Sequence, residues 1–259
     1  MQRVSAPQPA LVTTVAIASG PLKLQATLVR PPGAGPFPAM VYNHGSEANA
    51  PSEDRRAIGR FFQLHGYVVL FPHRRGASGS EGVHWEKRVV GVPDAQRSAA
   101  IVHAIEEEND DVLAAIEWVR KLTYVDRRHV AVAGCSFGGI HALLAAERSR
   151  SVYAAIDFAG ASMSWAQSRE LRDRLETAAS NARVPVFFLQ AENDFDTQPS
   201  FVLSKVMARE GKTAKMKIYP AHGTTQREGH RGFCNDAVST WGDDVLAFLS
   251  AYASTIDYH

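Results

Sequence analysis

Five consecutive residues, Gly134-Cys135-Ser136-Phe137-Gly138, place a hydroxyl midway between two glycines. A serine hydroxyl is a weak nucleophile until a base takes its proton, after which it can attack an acyl carbon. The apolar run from His129 to Ala133 precedes this pentapeptide and a helix-compatible stretch follows at once. The spacing therefore predicts a strand that turns sharply into a helix with Ser136 at the tip. Side chains two residues to either side would collide with neighbouring backbone on such a turn, which accounts for the glycines. The start of the following helix favours negative charge developing beside the hydroxyl. Cys135 is the rival nucleophile, since thiolates attack well, but its frame is wrong. Counted from Cys135, the flanking positions are Ala133 and Phe137 rather than glycines, and a small buried packing residue is expected there.

A second turn has matching chemistry. Tyr42-Asn43-His44-Gly45-Ser46 follows the first core strand, and its glycine lets the backbone bend sharply. The N–H groups of Ser46 and Phe137 could then converge as an oxyanion hole, donors that strengthen as a carbonyl becomes tetrahedral. His44 is expected to order this turn through its own hydrogen bonds rather than to move a proton.

These residues need a rigid frame. Leu11 to Leu28 reads as two strands around a Gly20-Pro21 turn, followed by the breaker-rich segment from Arg30 to Pro38. Four short apolar runs come next: Ala39 to Tyr42, Tyr67 to Phe71, His129 to Ala133 and Val184 to Leu189. Helix-sized stretches separate them. Ala154 to Phe158 and Lys215 to Tyr219 are further strands, and Val238 to Tyr252 is a terminal helix burying Trp241, Val245 and Leu249. The pattern predicts an α/β fold with a mostly parallel central sheet flanked by helices. Pro93 to Glu108 and Asp111 to Leu122 read as two helices, with Asp110 or Asp111 as a cap. The acidic run at 106 to 111 reads as a solvated face and helix boundary rather than a metal site.

Composition excludes several classes. The chain has 259 residues, 45% hydrophobic and 21% charged, with a net charge of +1, as befits one globular domain over 1–259. That balance gives no field suited to nucleic acid or an anionic membrane. No apolar run has the length of a membrane span, and the first residues lack the pattern of a secretory signal. Cys135 and Cys234 form no CxxC or zinc framework, so a reduced, cytoplasmic protein is the simpler expectation. The ten histidines make no HExxH pattern, and no metal or organic cofactor is expected.

The ordered set of segments resembles the α/β-hydrolase superfamily, in its dienelactone hydrolase-like and prolyl-oligopeptidase-like branch. The resemblance rests on YNHGS at 42–46, HGYVVLFPHRRGASGS at 65–80, DDVLAAIEWV at 110–119, GCSFGG at 134–139, QAEND at 190–194 and EGHRGFCNDAVSTWGDDVLAFL at 228–249. It covers about residues 37 to 252. By this resemblance Ser136 is the nucleophile, Asp194 the acid that orients the histidine, and His230 the general base. Asp196 and His222 stand as alternatives for the last two. The turn holding Arg75 and Gly76 takes a structural role.

Dienelactone hydrolases carry cysteine where this chain has Ser136, and the peptidases carry a propeller domain for which 259 residues leave no room. The expected activity is therefore hydrolysis of a carboxylic ester through an acyl-enzyme, ahead of peptide or amide cleavage or a non-catalytic binding scaffold. The expected partner is a small-molecule acyl substrate, and the expected assembly a monomer or homodimer. Residues 81–110, with Trp85 and Arg88, form a helical insertion that could cover the site, as could Met163 to Glu176 with Trp165. Arg74, Arg75 or Arg88 could meet a substrate carboxylate.

Overall fold

The computed structural model describes residues 11–49 and 52–256. Eight strands form one sheet in the order β1-β2-β4-β3-β5-β6-β7-β8. They are β1 (Leu11–Ser19), β2 (Leu22–Arg30), β3 (Phe37–Asn43), β4 (Val68–Pro72), β5 (Val125–Cys135), β6 (Ala154–Phe158), β7 (Val186–Ala191) and β8 (Ala214–Tyr219). β1 pairs antiparallel with β2, and β2 with β4; every later pairing is parallel. The parallel connections are made by helices α1 (Ser52–Leu64), α2 (Trp85–Arg88), α3 (Asp94–Val119), α4 (Phe137–Arg148), α5 (Arg169–Asn181) and α6 (Gln198–Arg209). A π-helical turn at Glu228–Gly232, the short α7 (Phe233–Asp236) and α8 (Val238–Ile256) close the chain.

Two apolar layers sandwich the sheet, and strand periodicity decides which residue joins which. In β5, Val130 and Val132 face the layer of α3 to α6, whereas Ala131, Ala133 and Cys135 face the layer of α1, α7 and α8. In β7, Val186 and Phe188 take the first layer and Phe187, Leu189 and Ala191 the second. Successive side chains point to opposite faces, so a strand covered on both sides reads as an unbroken apolar run. Edge strand β1 is mostly exposed or half-buried at alternate positions. This is the α/β-hydrolase arrangement.

The region before β5 departs from expectation. One 26-residue helix, α3, stands where two were read. No glycine or proline interrupts Asp94 to Val119, and the expected cap residues are engaged elsewhere: Asp110 accepts from Arg148, and Asp111 from Ser19 and Arg75. The acidic run is not a solvated face either, because Glu108, Asn109 and Asp111 are all buried. They lie on the face of α3 that also buries Ala104, Ile105, Val112, Ala115, Ile116 and Val119. Among the described residues no helix is long and apolar enough to cross a membrane, and no group of three His, Cys, Asp or Glu side chains could hold a metal ion.

Candidate active site

Ser136 sits between β5 and α4 with φ 57° and ψ −117°. That positive φ is costly for a residue with a Cβ and is held only when the surroundings over-determine it. They do so here. The Ser136 N–H donates to Phe158 O at 2.8 Å, and Ser136 O accepts from Gly139 N at 2.9 Å. A Cβ on Gly134 would lie 2.4 Å from Gly138 O, and one on Gly138 would lie 2.1 Å from Asn43 O. Both glycines flanking Ser136 are thus required by close backbone approach, as their spacing predicts.

Three chain-distant residues meet at this tip. Ser136 Oγ lies 2.9 Å from His230 Nε2, and His230 Nδ1 lies 2.9 Å from Asp194 Oδ1. His230 is carried by the π-helical turn at Glu228–Gly232. Gly229 in that turn packs against the loop after β7, where a Cβ would fall 2.4 Å from Asn193 Oδ1. Asp194 is buried in that loop and accepts from Ser162 Oγ at 2.5 Å, the Phe195 N–H at 2.6 Å and Gln190 Nε2 at 3.2 Å. The alternatives lie elsewhere. Asp196 accepts from the Gln198 N–H at the start of α6. His222 pairs its backbone with the Asn193 side chain, bracing the exit from β8.

Two supports of Asp194 differ in how far the sequence marks them. Ser162 lies on a loop remote in sequence from Asp194, and Gln190 is one polar residue in an apolar strand. A polar side chain at a fully buried strand position was the available clue for Gln190.

Cys135 and Cys234 are joined in a disulfide, with Cα atoms 5.9 Å apart. This corrects the expectation of reduced cysteines, and a reducing compartment loses the support it drew from them. Two cysteines 99 residues apart show nothing of their spatial approach until β5 and α7 are packed together.

The turn after β3 packs on the other side of Ser136. His44 Nδ1 donates to Gly45 O at 2.9 Å, the self-ordering role expected of it. Arg74 is buried and donates from Nη1 to His44 O at 2.9 Å, from Nη2 to Gly45 O at 2.6 Å and from Nε to Glu108 at 2.9 Å. Each nitrogen of its fork thus donates to a protein acceptor. Arg75 pairs with Asp111 and Arg88 with Glu107. Both line a cavity of about 610 Å³ that borders on none of Ser136, Asp194 or His230. Trp85, from the 81–110 segment, stacks on Phe137 with ring centroids 5.3 Å apart and donates from Nε1 to Ser46 O at 3.0 Å. Residues from 94 onward in that segment belong to α3. Trp165 is buried in the core, whereas Met163 is exposed.

The electrostatics of this flank follow from Arg74. Burial works to raise the Glu108 carboxyl, but the His141 ring 3.6 Å away and the Arg74 guanidinium overcome that and hold it down to about 2. Burial and the same guanidinium lower His141 to about 4 and keep His44 well below the usual histidine range. Both rings are therefore neutral at pH 7.

Sequence comparison now bears on the site. The family model for X-Pro dipeptidyl-peptidase (S15 family) matches residues 19–174, more than half of the chain. The chain belongs to that S15 family. The matched span holds Ser136, the His44 turn, Arg74 and Glu108; Asp194 and His230 lie beyond it. Dipeptidyl-peptidase 5 of Porphyromonas gingivalis is 29% identical over 105 residues, covering 40% of this S15 chain but 14% of that protein. Among solved structures, the acylaminoacyl peptidase of Pyrococcus horikoshii matches with TM-score 0.71 and 18% identity over 93% of this chain and 41% of its own. The esterase Pf2001 of Pyrococcus furiosus matches with TM-score 0.70 and 14% identity, over 97% and 96% of the two chains. Est1E of Butyrivibrio proteoclasticus, solved with ferulic acid, matches with TM-score 0.66 and 20% identity, over 90% and 99%. At these identities the likeness to solved structures is one of fold. The S15 chain spans less than half of each of the two peptidases and nearly all of the two esterases.

Proposed function

We propose that this protein is a serine hydrolase cleaving a carboxylic ester through an acyl-enzyme. The observation that carries the reading is the hydrogen-bonded chain from Ser136 Oγ through His230 to Asp194, with both links at 2.9 Å, at the tip of a strained strand-to-helix turn. His230 Nε2 takes the Ser136 proton as Oγ attacks the acyl carbon. Asp194 accepts from Nδ1–H, which fixes the tautomer and stabilises the imidazolium as it forms. The N–H groups of Phe137 and Ser46 stabilise the tetrahedral oxyanion. Collapse breaks the bond to the alkoxide, which takes the proton from His230 and departs as the alcohol. Water, deprotonated by the same nitrogen, attacks the acyl-enzyme; the acid leaves and Ser136 recovers its proton.

Peptide-bond cleavage is the second reading, favoured by the family description and by the name of the Porphyromonas gingivalis relative. The ester reading draws support from the fold shared with Pf2001 and Est1E across nearly their whole length. A panel of short acyl esters, each matched by an anilide of the same acyl group, separates the two. Ester turnover without anilide cleavage is expected, with a fluorophosphonate labelling Ser136. Ser136→Ala should remove both, lowering turnover on the order of 10⁴-fold or more. Substantial anilide cleavage would turn the assignment to a peptidase, and a wild-type protein that neither turns over nor labels would be a binding scaffold.

A further inference from the structure

We propose that Arg74 is a positioning residue for the oxyanion: anchored by Glu108, it holds the Gly45–Ser46 peptide so that the Ser46 N–H is presented to the Ser136 tip. This rests on the reading of Ser46 as an oxyanion donor.

A trans peptide is planar, with its carbonyl oxygen and amide hydrogen pointing in opposite directions. Whatever fixes the Gly45 carbonyl therefore fixes the direction of the Ser46 N–H. Gly45 O accepts from Arg74 Nη2 at 2.6 Å and from His44 Nδ1 at 2.9 Å, which occupies both of its lone pairs. The neighbouring His44 O is held by Arg74 Nη1 at 2.9 Å, and Ser46 O by Trp85 Nε1 at 3.0 Å. Three successive carbonyls are thus tied down, two of them by one planar fork. A lysine carries its donors on one nitrogen at the end of a flexible stem and lacks the fixed plane of that fork. The ring of Trp85 stacks on Phe137, the residue of the other proposed donor. The turn is also wedged against α4, since a Cβ on Gly138 would lie 2.8 Å from His44 O.

Charge adds to geometry. A cation on the carbonyl side polarises the peptide and makes its N–H a stronger donor to a developing oxyanion, an effect enlarged by the low dielectric of a buried site. Glu108, 1% exposed, supplies the counter-charge without which a buried guanidinium would be costly. Arg74 itself is 1% exposed, with each of its three nitrogens bonded inside the protein, so it acts through the peptide.

The test uses Arg74→Met/Glu108→Gln, which opens the clamp without stranding a charge, with rates expressed per active site titrated by fluorophosphonate. We expect kcat to fall about 10²-fold, by analogy with loss of one oxyanion donor, with KM within about 3-fold of wild type by the same reasoning. Affinity for a trifluoromethyl ketone, whose serine adduct carries the oxyanion, should weaken in parallel, while the midpoint of the kcat/KM–pH profile stays in place because His230 is untouched. A per-site kcat close to wild type, whatever the loss of folded protein, would make Arg74 a structural residue and overturn the proposal. If the double variant yields no folded protein, Arg74→Lys decides on the same readouts. Ser46→Pro, which removes the N–H itself, isolates the underlying reading. A slow Ser46→Pro beside normal Arg74 variants would sink the clamp alone; a normal Ser46→Pro would remove the donor on which the clamp depends.

Discussion

Two buried carboxylates flank Ser136, and they are furnished differently. Asp194 accepts from neutral donors, the Ser162 hydroxyl, the Phe195 N–H and the Gln190 amide, and faces a histidine ring. Glu108 faces a permanent cation, Arg74, with His141 beside it. A group that must respond to charge appearing and vanishing during a reaction is best left with a partner whose charge can change. A group that must hold backbone in place is best served by a partner that cannot lose its proton. The contrast separates a flank built to move a proton from a flank built to stay still.

The sharpest way to break this contrast is at the ring. His230→Ala should lower kcat and kcat/KM on the order of 10⁴-fold while the protein stays folded, because nothing else then takes the serine proton. His222→Ala should retain substantial activity, with its cost falling on stability. The exchange of those two outcomes, measured on folded preparations, would move the base to His222. Next comes the acid. Asp194→Asn should cost roughly 10³- to 10⁴-fold in kcat through the wrong tautomer, and Asp196→Asn no more than a few-fold by the same reasoning. A severe loss confined to Asp196→Asn would reverse the assignment. The clamp on the opposite flank stands below both at about 10²-fold.

A third buried carboxyl sharpens the comparison from outside the reaction. Asp157 in β6 accepts the Gly160 N–H at 2.7 Å, and burial pushes it up to about 7, against the pull of that bond. Because the folded pKa lies above the unfolded one, the native state binds the extra proton. The stabilisation is complete below the unfolded value near 3.8 and is lost as pH rises through about 7. The total change is at most about 4 kcal/mol. Asp157→Asn, neutral at every pH, should flatten this slope in urea midpoints taken between pH 4.5 and 7.5. Unchanged slopes would show Asp157 ionised in the fold.

Ser136 was legible because its signature is contiguous: a strand, two glycines and a helix within a few residues. The strands along the chain were legible for a similar reason, each run being short, apolar and bounded by breakers. Arg74 and Glu108 were not, because each alone reads as surface charge and their pairing depends on α3 crossing the β4 exit. A signal did exist in the helical period, since Glu108 and Asp111 share the 3- and 4-residue spacing of Ile105, Val112, Ala115 and Val119. The acidic character of the run points to a helix boundary and masks that period, although the helix runs through it uninterrupted. Asp194 and His230 came from resemblance alone, because loop residues carry no period to reveal where they point.

The Cys135–Cys234 cross-link bears on effective concentration. Ser136 and His230 are 94 residues apart along the chain, and an unfolded segment of that size has a radius of gyration of roughly 30 Å. Through the disulfide the covalent path is far shorter, since Cys135 adjoins Ser136 and Cys234 lies four residues after His230. Those few residues span on the order of 20 Å even at full stretch. Should α8 and the loop before it come loose, the imidazole stays leashed to the hydroxyl it serves, so their reunion is an intramolecular search over a small volume.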